Sequence, residues 1–528
     1  MKRIFTLASL ISAFVTASFA QGEMNAFNLS YNDLTGTARS VGMGGAFGAL
    51  GGDISGIAIN PAGIGVYRSN EIVTTLNFTN VKTKTDLGGV KTDDSKFRFM
   101  FDNLAFVGAI PINSDEVPFL NFGVSYNKVK SFNRKVSMAG TFINRPFENS
   151  LSSYIADVIS PSEGIKGIPT GDLALSSKPF TDGADYWYGA FGYNSKIVKP
   201  QSNQNDSYYS ALQDLSNPSI DNDLQLEEKG EISSYDLNFG TTISDMISLG
   251  VTVSVTDINY HLFSSYGEYW FQGDNKYGDY FFENWLKTEG TGWQVKAGAI
   301  FKPIHELRIG VAYHSPTWYN MTDYYRSLID VQTPEFKDYI SSAVELNGDA
   351  ITDYKLRTPD KWVFSLAGVI GNYAIISADY ELTNYSKMSL KNYYSGDYNY
   401  SNENADIESD FRNSSILRLG AEVRFTPQFS GRIGYMWQQS PVKDTLKDGS
   451  ESGTYPAATA GTVPHYFLVG DANNFTWGLG YRFTPSFYTD IAFVIKTRTD
   501  DLYNFGGADK AELKNNQFSG LMTLGYRF

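Results

Sequence analysis

Residues 246–259 read Met246-Ile247-Ser248-Leu249-Gly250-Val251-Thr252-Val253-Ser254-Val255-Thr256-Asp257-Ile258-Asn259. Ile247, Leu249, Val251, Val253 and Val255 share one parity, and Ser248, Gly250, Thr252, Ser254 and Thr256 the other. Successive side chains of a strand point to opposite faces, so this segment predicts a β-strand with one apolar and one small, polar face. The pattern recurs downstream. Leu417, Leu419, Ala421, Val423 and Phe425 oppose Ile416, Arg418, Gly420, Glu422 and Arg424, and Phe475, Trp477, Leu479, Tyr481 and Phe483 oppose Thr476, Gly478, Gly480 and Arg482.

Fourteen such segments are predicted, at 71–85, 97–110, 118–131, 230–243, 246–261, 289–302, 306–319, 358–370, 373–385, 411–425, 429–439, 473–484, 486–498 and 515–528. A soluble sandwich shows the same alternation, so the connections decide. Short links such as Ser244-Asp245 and Pro303-Ile304-His305 alternate with long polar and aromatic segments, the largest at 132–229. Short turns at one end, long loops at the other and an even strand number mark an outer-membrane barrel. In lipid an open sheet edge would leave amides unpaired, so the strands close into a ring. The expected fold is therefore all-β, a transmembrane antiparallel barrel over 71–528. Its apolar faces meet lipid, and Asp236, Lys296, Asp379, Glu381, Arg418, Glu422, Arg424 and Arg482 point into the lumen.

Composition agrees. The 528 residues include 35 Tyr, 36 Phe, 8 Trp and 49 Gly, with no Cys and a formal charge of −14. Disordered chains are poor in aromatics. The acidic balance argues against nucleic acid as a partner, and the absence of Cys removes disulfides, thiolate metal sites and Cys nucleophiles. The four histidines, His261, His305, His314 and His465, form no short metal-binding pair and no nucleophile constellation, so neither a metal, a cofactor nor an enzyme activity is expected.

Lys2 and Arg3 precede an apolar run from Ile4 to Phe19 that ends at Ser18-Phe19-Ala20, the form of a signal peptide spanning 1–20. Residues 21–70 lack strand periodicity. Their glycines include Gly42-Met43-Gly44-Gly45-Ala46-Phe47 but no phosphate-loop spacing. Glycine permits close backbone approach, which suits a plug packed in a narrow lumen. At the other terminus Phe518, Gly520, Met522, Leu524, Tyr526 and Phe528 share one face, and the chain stops on that aromatic.

The stretch Gly36–Gly63, with Gly-Met-Gly-Gly-Ala-Phe at 42–47 and Asn60-Pro61-Ala62-Gly63, resembles the N-terminal hatch of the FadL/TodX family of outer-membrane transporters of hydrophobic compounds. Further similarities lie at Gly290–Gly298, Arg308–Pro316, Leu419–Phe425 and Arg432–Tyr435. The resemblance implies a monomeric barrel of about fourteen strands in the Gram-negative outer membrane, plugged by the hatch at 21–70. The family's cargo, long-chain fatty acids or aromatic hydrocarbons, is caught by loops, gated by the hatch and released sideways into lipid. It also implies a gating role for Asn60, Pro61 and Ala62, and a wall opening at a kink in the third strand, for which Gly123 is the candidate. A C-terminal strand ending as Tyr526 and Phe528 do resembles the signal read by the barrel assembly machinery.

The predicted outer loop 262–288 carries Trp270, Phe271, Phe281, Phe282 and Trp285, which suit capture of an apolar ligand. Helical spacing is expected at Leu151, Tyr154, Ile155, Val158 and Ile159. Arg418, Arg424 and Arg482 are expected to pair with Glu422 or another lumen acid. Two other functions fit a plugged barrel with large loops, a haemin uptake receptor and a surface adhesin or structural barrel without transport.

Overall fold

The computed structural model describes residues 22–528 apart from 113, 163–165, 175–183, 203, 336–338, 343–349, 372, 394–399 and 449–462. The expected signal peptide lies outside the described residues. Fourteen antiparallel strands form one closed ring. They are β1 (Glu71–Leu87), β2 (Val90–Pro111), β3 (Phe119–Ser131, continued by Arg134–Phe142), β4 (Pro218–Ile243), β5 (Ile247–Gln272), β6 (Asn275–Ile304) and β7 (Leu307–His314, continued by Trp318–Gln332). Then follow β8 (Ala350–Arg357 and Lys361–Ile370), β9 (Ala374–Asn384 and Ser389–Asn392), β10 (Asn413–Arg424), β11 (Phe429–Gln438), β12 (Ala472–Arg482), β13 (Phe487–Tyr503) and β14 (Ala511–Arg527). Closure is between β1 and β14, from Glu71↔Arg527 to Asp86↔Glu512. Asn70 and Phe528 exchange two further backbone hydrogen bonds of 3.1 Å. The barrel expected from alternation is the barrel observed.

The faces follow the parity. Leu249, Val251, Val253, Leu417, Leu419, Phe475 and Leu479 point outward and stay exposed, whereas Ser248, Thr252, Ser254 and Thr476 are buried in the lumen. Aromatic pairs bound the apolar belt at both ends, as in other barrels. Trp293 and Trp318, with ring centroids 4.5 Å apart, mark one end, and Phe425–Phe429, Phe483–Phe487 and Tyr526–Phe528 the other.

The strands run further outward than alternation indicates. β5 and β6 are 26 and 30 residues long and stay paired to Gln272↔Asn275, so 262–288 is a hairpin and no loop. Likewise 134–142 and 218–229 continue β3 and β4, and the largest outer connection shrinks from the expected 132–229 to 143–217. Outside lipid both faces of a strand can carry aromatics, which blurs the period. The inner faces of these extensions pack on α-helices from 143–217, at Leu151–Ile159, where helical spacing placed one, and at Ala184–Asn194. Trp187 meets Tyr325 and Phe191 meets Phe282, at centroid distances of 5.2 and 5.4 Å, inside a dome with its own apolar core.

The plug carries three α-helices, α1 (Glu23–Ser30), α2 (Ala38–Gly42) and α3 (Ile54–Ile59), then a 3₁₀ turn at Pro61–Val66. Thr37 caps α2 through Ser40 N (3.2 Å), Asp53 caps α3 through Ser55 N (2.9 Å), and Thr37 Oγ1 donates to Asp53 (2.9 Å). Asn60 Oδ1 accepts from Ala62 N (3.1 Å), and Pro61 opens the 3₁₀ turn, where its missing N–H costs nothing. Asn60 Nδ2 donates to Gly48 O (2.7 Å) within the plug and to Ala299 O (3.2 Å) on β6.

The wall makes room for this backbone with glycine. A Cβ at Gly298 would lie 1.9 Å from Asn60 Oδ1, at Gly250 2.2 Å from Pro61 O, at Gly310 2.4 Å from Gly48 O, and at Gly434 2.1 Å from Gly44 N. The plug is thus seated against side-chain-free patches on β5, β6, β7 and β11.

Two outcomes follow. The chain has no native cysteine, so a cysteine at Asp274, in the exposed β5–β6 turn, should label on intact cells. One at Asp115, in the short β2–β3 turn, should label only once the outer membrane is opened, and labelling of both from outside would refute this orientation. Gly298→Val should expel Asn60 and expose the plug to periplasmic protease while the barrel keeps its heat-modifiable folded form. A plug as resistant as the parent's would refute the seat.

Candidate functional site

A cavity of about 140 Å³ lies between α1 and the wall at the height where the dome meets the barrel. Its apolar side comes from Phe27, Tyr31, Phe132, Tyr260, Leu262 and Phe467. Phe27 is held by Phe411, stacked at 5.4 Å, and by the edge of Tyr385 at 5.5 Å. Its polar side is cationic, and most of the cations have acid partners. Lys496 pairs with Asp33 (2.6 Å), Arg134 with Glu228 (2.6 Å) and Arg498 with Asp500 (2.8 Å). Lys130 differs: its Nζ donates to the backbone and side-chain carbonyls of Asn28, the latter at 2.9 Å, and lies 4.7 Å from the Phe132 ring centroid. Among the described residues it makes no ion pair. His465, from the outer connection before β12, closes the cavity, and burial lowers its pKa to about 4, so it adds no charge at neutral pH.

Beside this cavity the wall changes character. β2 and β3 pair from Pro111↔Phe119 only to Asn103↔Asn127, whereas β2 stays paired to β1 out to Leu87↔Val90. Above Asn103, β2 therefore has a strand on one edge alone. Register shifts mark the parting, at Thr75/Leu76 opposite Asp102 and at Lys128/Lys130. Side chains bridge the seam instead. Lys128 lies 3.7 Å from Asp102 on β2 and 3.2 Å from Glu231 on β4, and Asn103 Nδ2 donates to Asn127 Oδ1 (2.6 Å). Higher up, Thr92 of β2 donates to the carbonyl of Ser137 and Lys96 of β2 to Glu227 on β4 (2.9 Å), while Thr83 and Thr85 of β1 reach past β2 to the carbonyls of Lys135 (2.7 Å) and Ser137 (2.8 Å). On the outside Phe97 and Phe99 are 67% and 64% exposed at the seam's lip. A smaller cavity of about 50 Å³, lined by Asp102, Lys128 and Met100, shares Ser131, Asn133 and Lys496 with the larger one and reaches the seam.

The irregularity in the third strand is thus at Val129 and not at the expected Gly123. Gly123 pairs regularly with Val107 and Asn238, and its missing side chain admits Ile64 of the plug.

Below the cavity the lumen is polar. Asp236, Lys296, Asp379, Glu381, Arg418 and Glu422 are buried there as parity predicts. Arg418 pairs with Glu381 (2.6 Å), and Glu422 binds Arg432 (2.6 Å) and, through two hydrogen bonds of 2.9 and 3.0 Å, Arg39 of the plug. Arg424 and Arg482 depart from expectation. They end their strands, so they stand exposed at the rim of the short-turn side with no ion-pair partner among the described residues.

The five aromatics expected to form one capture surface are divided by parity. Trp270 and Phe282 point inward and are buried in the dome, where Trp270 Nε1 donates to the buried Glu268 (2.6 Å), while Phe271, Phe281 and Trp285 lie half-buried on the outer face. Tyr526 and Phe528 face outward at the belt's lower edge, 50% and 55% exposed. Asn60, Pro61 and Ala62 are buried at the plug–wall contact.

The fold is shared with known transport proteins. The family model for outer membrane protein transport protein (OMPP1/FadL/TodX) matches residues 234–516, more than half of the chain. No curated protein matches it in sequence. Among solved structures it is similar to a Pseudomonas aeruginosa FadL homologue, with TM-score 0.54, 14% identity, and 94% of this chain and 99% of that one covered. It is also similar to the P. putida toluene transporter TodX, with TM-score 0.51, 11% identity, and coverage of 94% and 99%. At such identities the likeness concerns the fold. The family match, joined to a closed fourteen-stranded barrel with a plug, establishes that the chain belongs to the FadL/TodX family of outer-membrane proteins that transport hydrophobic compounds.

Proposed function

We propose that the protein takes up long-chain amphiphiles of the fatty-acid type, holding the acidic head at Lys130 and releasing the molecule sideways through the seam between β2 and β3. The observation that carries this reading is the position of an aromatic cavity, with one lysine that makes no ion pair among the described residues, beside the stretch of β2 that lacks a second strand. A buried lysine whose hydrogen bonds go to carbonyl oxygens, with ring faces beside it, is only partly compensated, and a carboxylate supplies the missing charge. Downward passage would drag an alkyl chain past Lys296, Glu381 and Arg418, displacing hydrogen bonds that the chain cannot replace. Sideways passage returns each methylene to an apolar medium, worth about 0.8 kcal/mol per CH₂ relative to water. No ion gradient or nucleotide is then required.

In this scheme the half-buried Phe271, Phe281 and Trp285 offer a first apolar contact outside, the plug held at Asn60, Pro61 and Ala62 blocks the aqueous route, and Tyr526 and Phe528 are read by the barrel assembly machinery. A single ring holds the whole route, so a monomer suffices.

Two measurements test it. Asn103 and Asn127 are direct cross-strand partners at the start of the seam, their side chains 2.6 Å apart. An Asn103→Cys/Asn127→Cys disulfide, within the reach of directly opposed strand residues, should cut long-chain fatty acid transfer into proteoliposomes at least tenfold, reversibly with dithiothreitol; undiminished transfer in the oxidised form would exclude the lateral route. Lys130→Met should weaken binding of a fatty acid roughly tenfold, the value of one lost charge-assisted hydrogen bond, while leaving toluene binding unchanged. Equal losses for both ligands would remove the acid-head assignment.

A further inference from the structure

On the short-turn side, beneath the plug, an open vestibule of about 370 Å³ is lined by Arg39, Arg68, Arg424, Arg432, Arg482 and Arg527. Six guanidinium groups around one cavity stand out in a chain of formal charge −14. Four have acid partners. Arg39 and Arg432 share Glu422, and Arg432 also reaches Asp490 (2.5 Å). Arg527 pairs with Glu71 (2.6 Å) and Arg68 with Asp245 (3.0 Å).

Arg424 and Arg482 are left over. Arg424 lies opposite Ser430, which lies opposite Gly480, two residues before Arg482. Both arginines therefore stand at the same rim on strands two apart, about 10 Å at the usual strand spacing, and both side chains line the one cavity. That span is within reach of two long side chains closing on a shared guest. Between them the wall is bare: a Cβ at Gly480 would fall 2.2 Å from Asp490 Oδ1 and 2.7 Å from an Arg432 guanidinium nitrogen, so the floor of the gap is the Arg432–Asp490 ion pair, and the free charge at the gap is that of Arg424 and Arg482. Like charges gathered around a concave surface focus an anion there, and a planar guanidinium presents paired N–H donors that match two oxygens of one oxyanion.

We infer that this vestibule is a binding site for a multivalent oxyanion of the phosphate type, gripped by Arg424 and Arg482 with Arg39 and Arg432 behind them. The guest is either a free oxyanion of the periplasm or the phosphate of an anionic lipid headgroup at the barrel's lower edge. The assignment does not depend on which hydrophobic cargo crosses the barrel above.

Titration calorimetry of the full-length mature protein with inorganic pyrophosphate, at fixed ionic strength in chloride, reads the site. One saturable site is expected, weakened at least tenfold in Arg424→Gln/Arg482→Gln. The lysine pair Arg424→Lys/Arg482→Lys, which keeps the charge and loses the fork, should recover only part of the affinity. Lys391→Gln, which removes a charge from the exposed outer end of β9, should leave binding intact. Repeating the titration in nanodiscs separates the sources: competition by phosphatidylglycerol but not phosphatidylcholine places a headgroup in the site, and equal binding in both places a free oxyanion there. No saturable binding by the parent, or equal weakening by Lys391→Gln, would overturn the proposal. Heat-modifiability of each variant confirms that a loss of binding is not a loss of fold.

Discussion

A backbone amide left unpaired in hydrocarbon costs several kcal/mol, because no water is present to take its place. That constraint makes this chain a ring, and the remaining architecture follows from how the ring is closed and where it is relaxed. Closure at β1–β14 is complete to the last residue, where Asn70 and Phe528 exchange hydrogen bonds. Relaxation occurs between β2 and β3, above Asn127 rather than at the base. There the Thr92 hydroxyl and the Lys96 and Lys128 side chains take over from the ladder, with Thr83 and Thr85 of β1 reaching across as well. Side-chain bridges of this kind part more readily than a run of backbone pairs, since each can turn to another partner without unfolding a strand.

The same ring must also be blocked, and the wall and plug are fitted to each other by subtraction. Glycine inside a strand packs nothing and weakens it, yet Gly250, Gly298, Gly310 and Gly434 occur on inner faces where the plug backbone arrives. The strand loses side-chain contact with itself and gains contact with Pro61, Asn60, Gly48 and Gly44. Polar anchors complete the seat: Asp379 accepts from Gly48 N (2.8 Å), Thr523 from Ala38 N (2.8 Å), and Glu422 holds Arg39.

How much of this can be read without coordinates depends on the range over which the governing rule acts. Parity acts over two residues, and Ile247 to Val255 disclose their faces alone; fourteen such segments disclose the ring. Parity fails at the bulge. Counting from Leu120, Phe122, Val124 and Tyr126, which face outward, Lys128 and Lys130 would face lipid, but the register shift turns both inward, and with them the lysine that sets the cavity's charge. Two lysines on the greasy parity of a strand were the available sign, since neither is tolerable in the bilayer. Parity also cannot tell depth, which is why Arg424 and Arg482 share a face with Arg418 yet stand at the rim. Trp270 and Phe282 were obscured for another reason: beyond the belt, β5 and β6 meet a dome inside and water outside, and both environments accept aromatic rings.

Stacked along the barrel axis, these features sort solutes by polarity. The dome core is apolar and runs down to Phe132, Tyr260 and Leu262, which are walls of the cavity. A belt of paired charges follows, then the plug, then a cationic vestibule. An apolar solute that has reached the cavity therefore meets rising desolvation cost in the downward direction and bilayer hydrocarbon in the sideways one. On the proposed lateral route the plug need not open fully, because the barrier that turns such a solute aside is the charged layer above the plug. Water and ions face the reverse ordering, excluded by the dome and by the packed plug. On that proposed route a barrel wide enough for an aqueous channel serves greasy molecules alone.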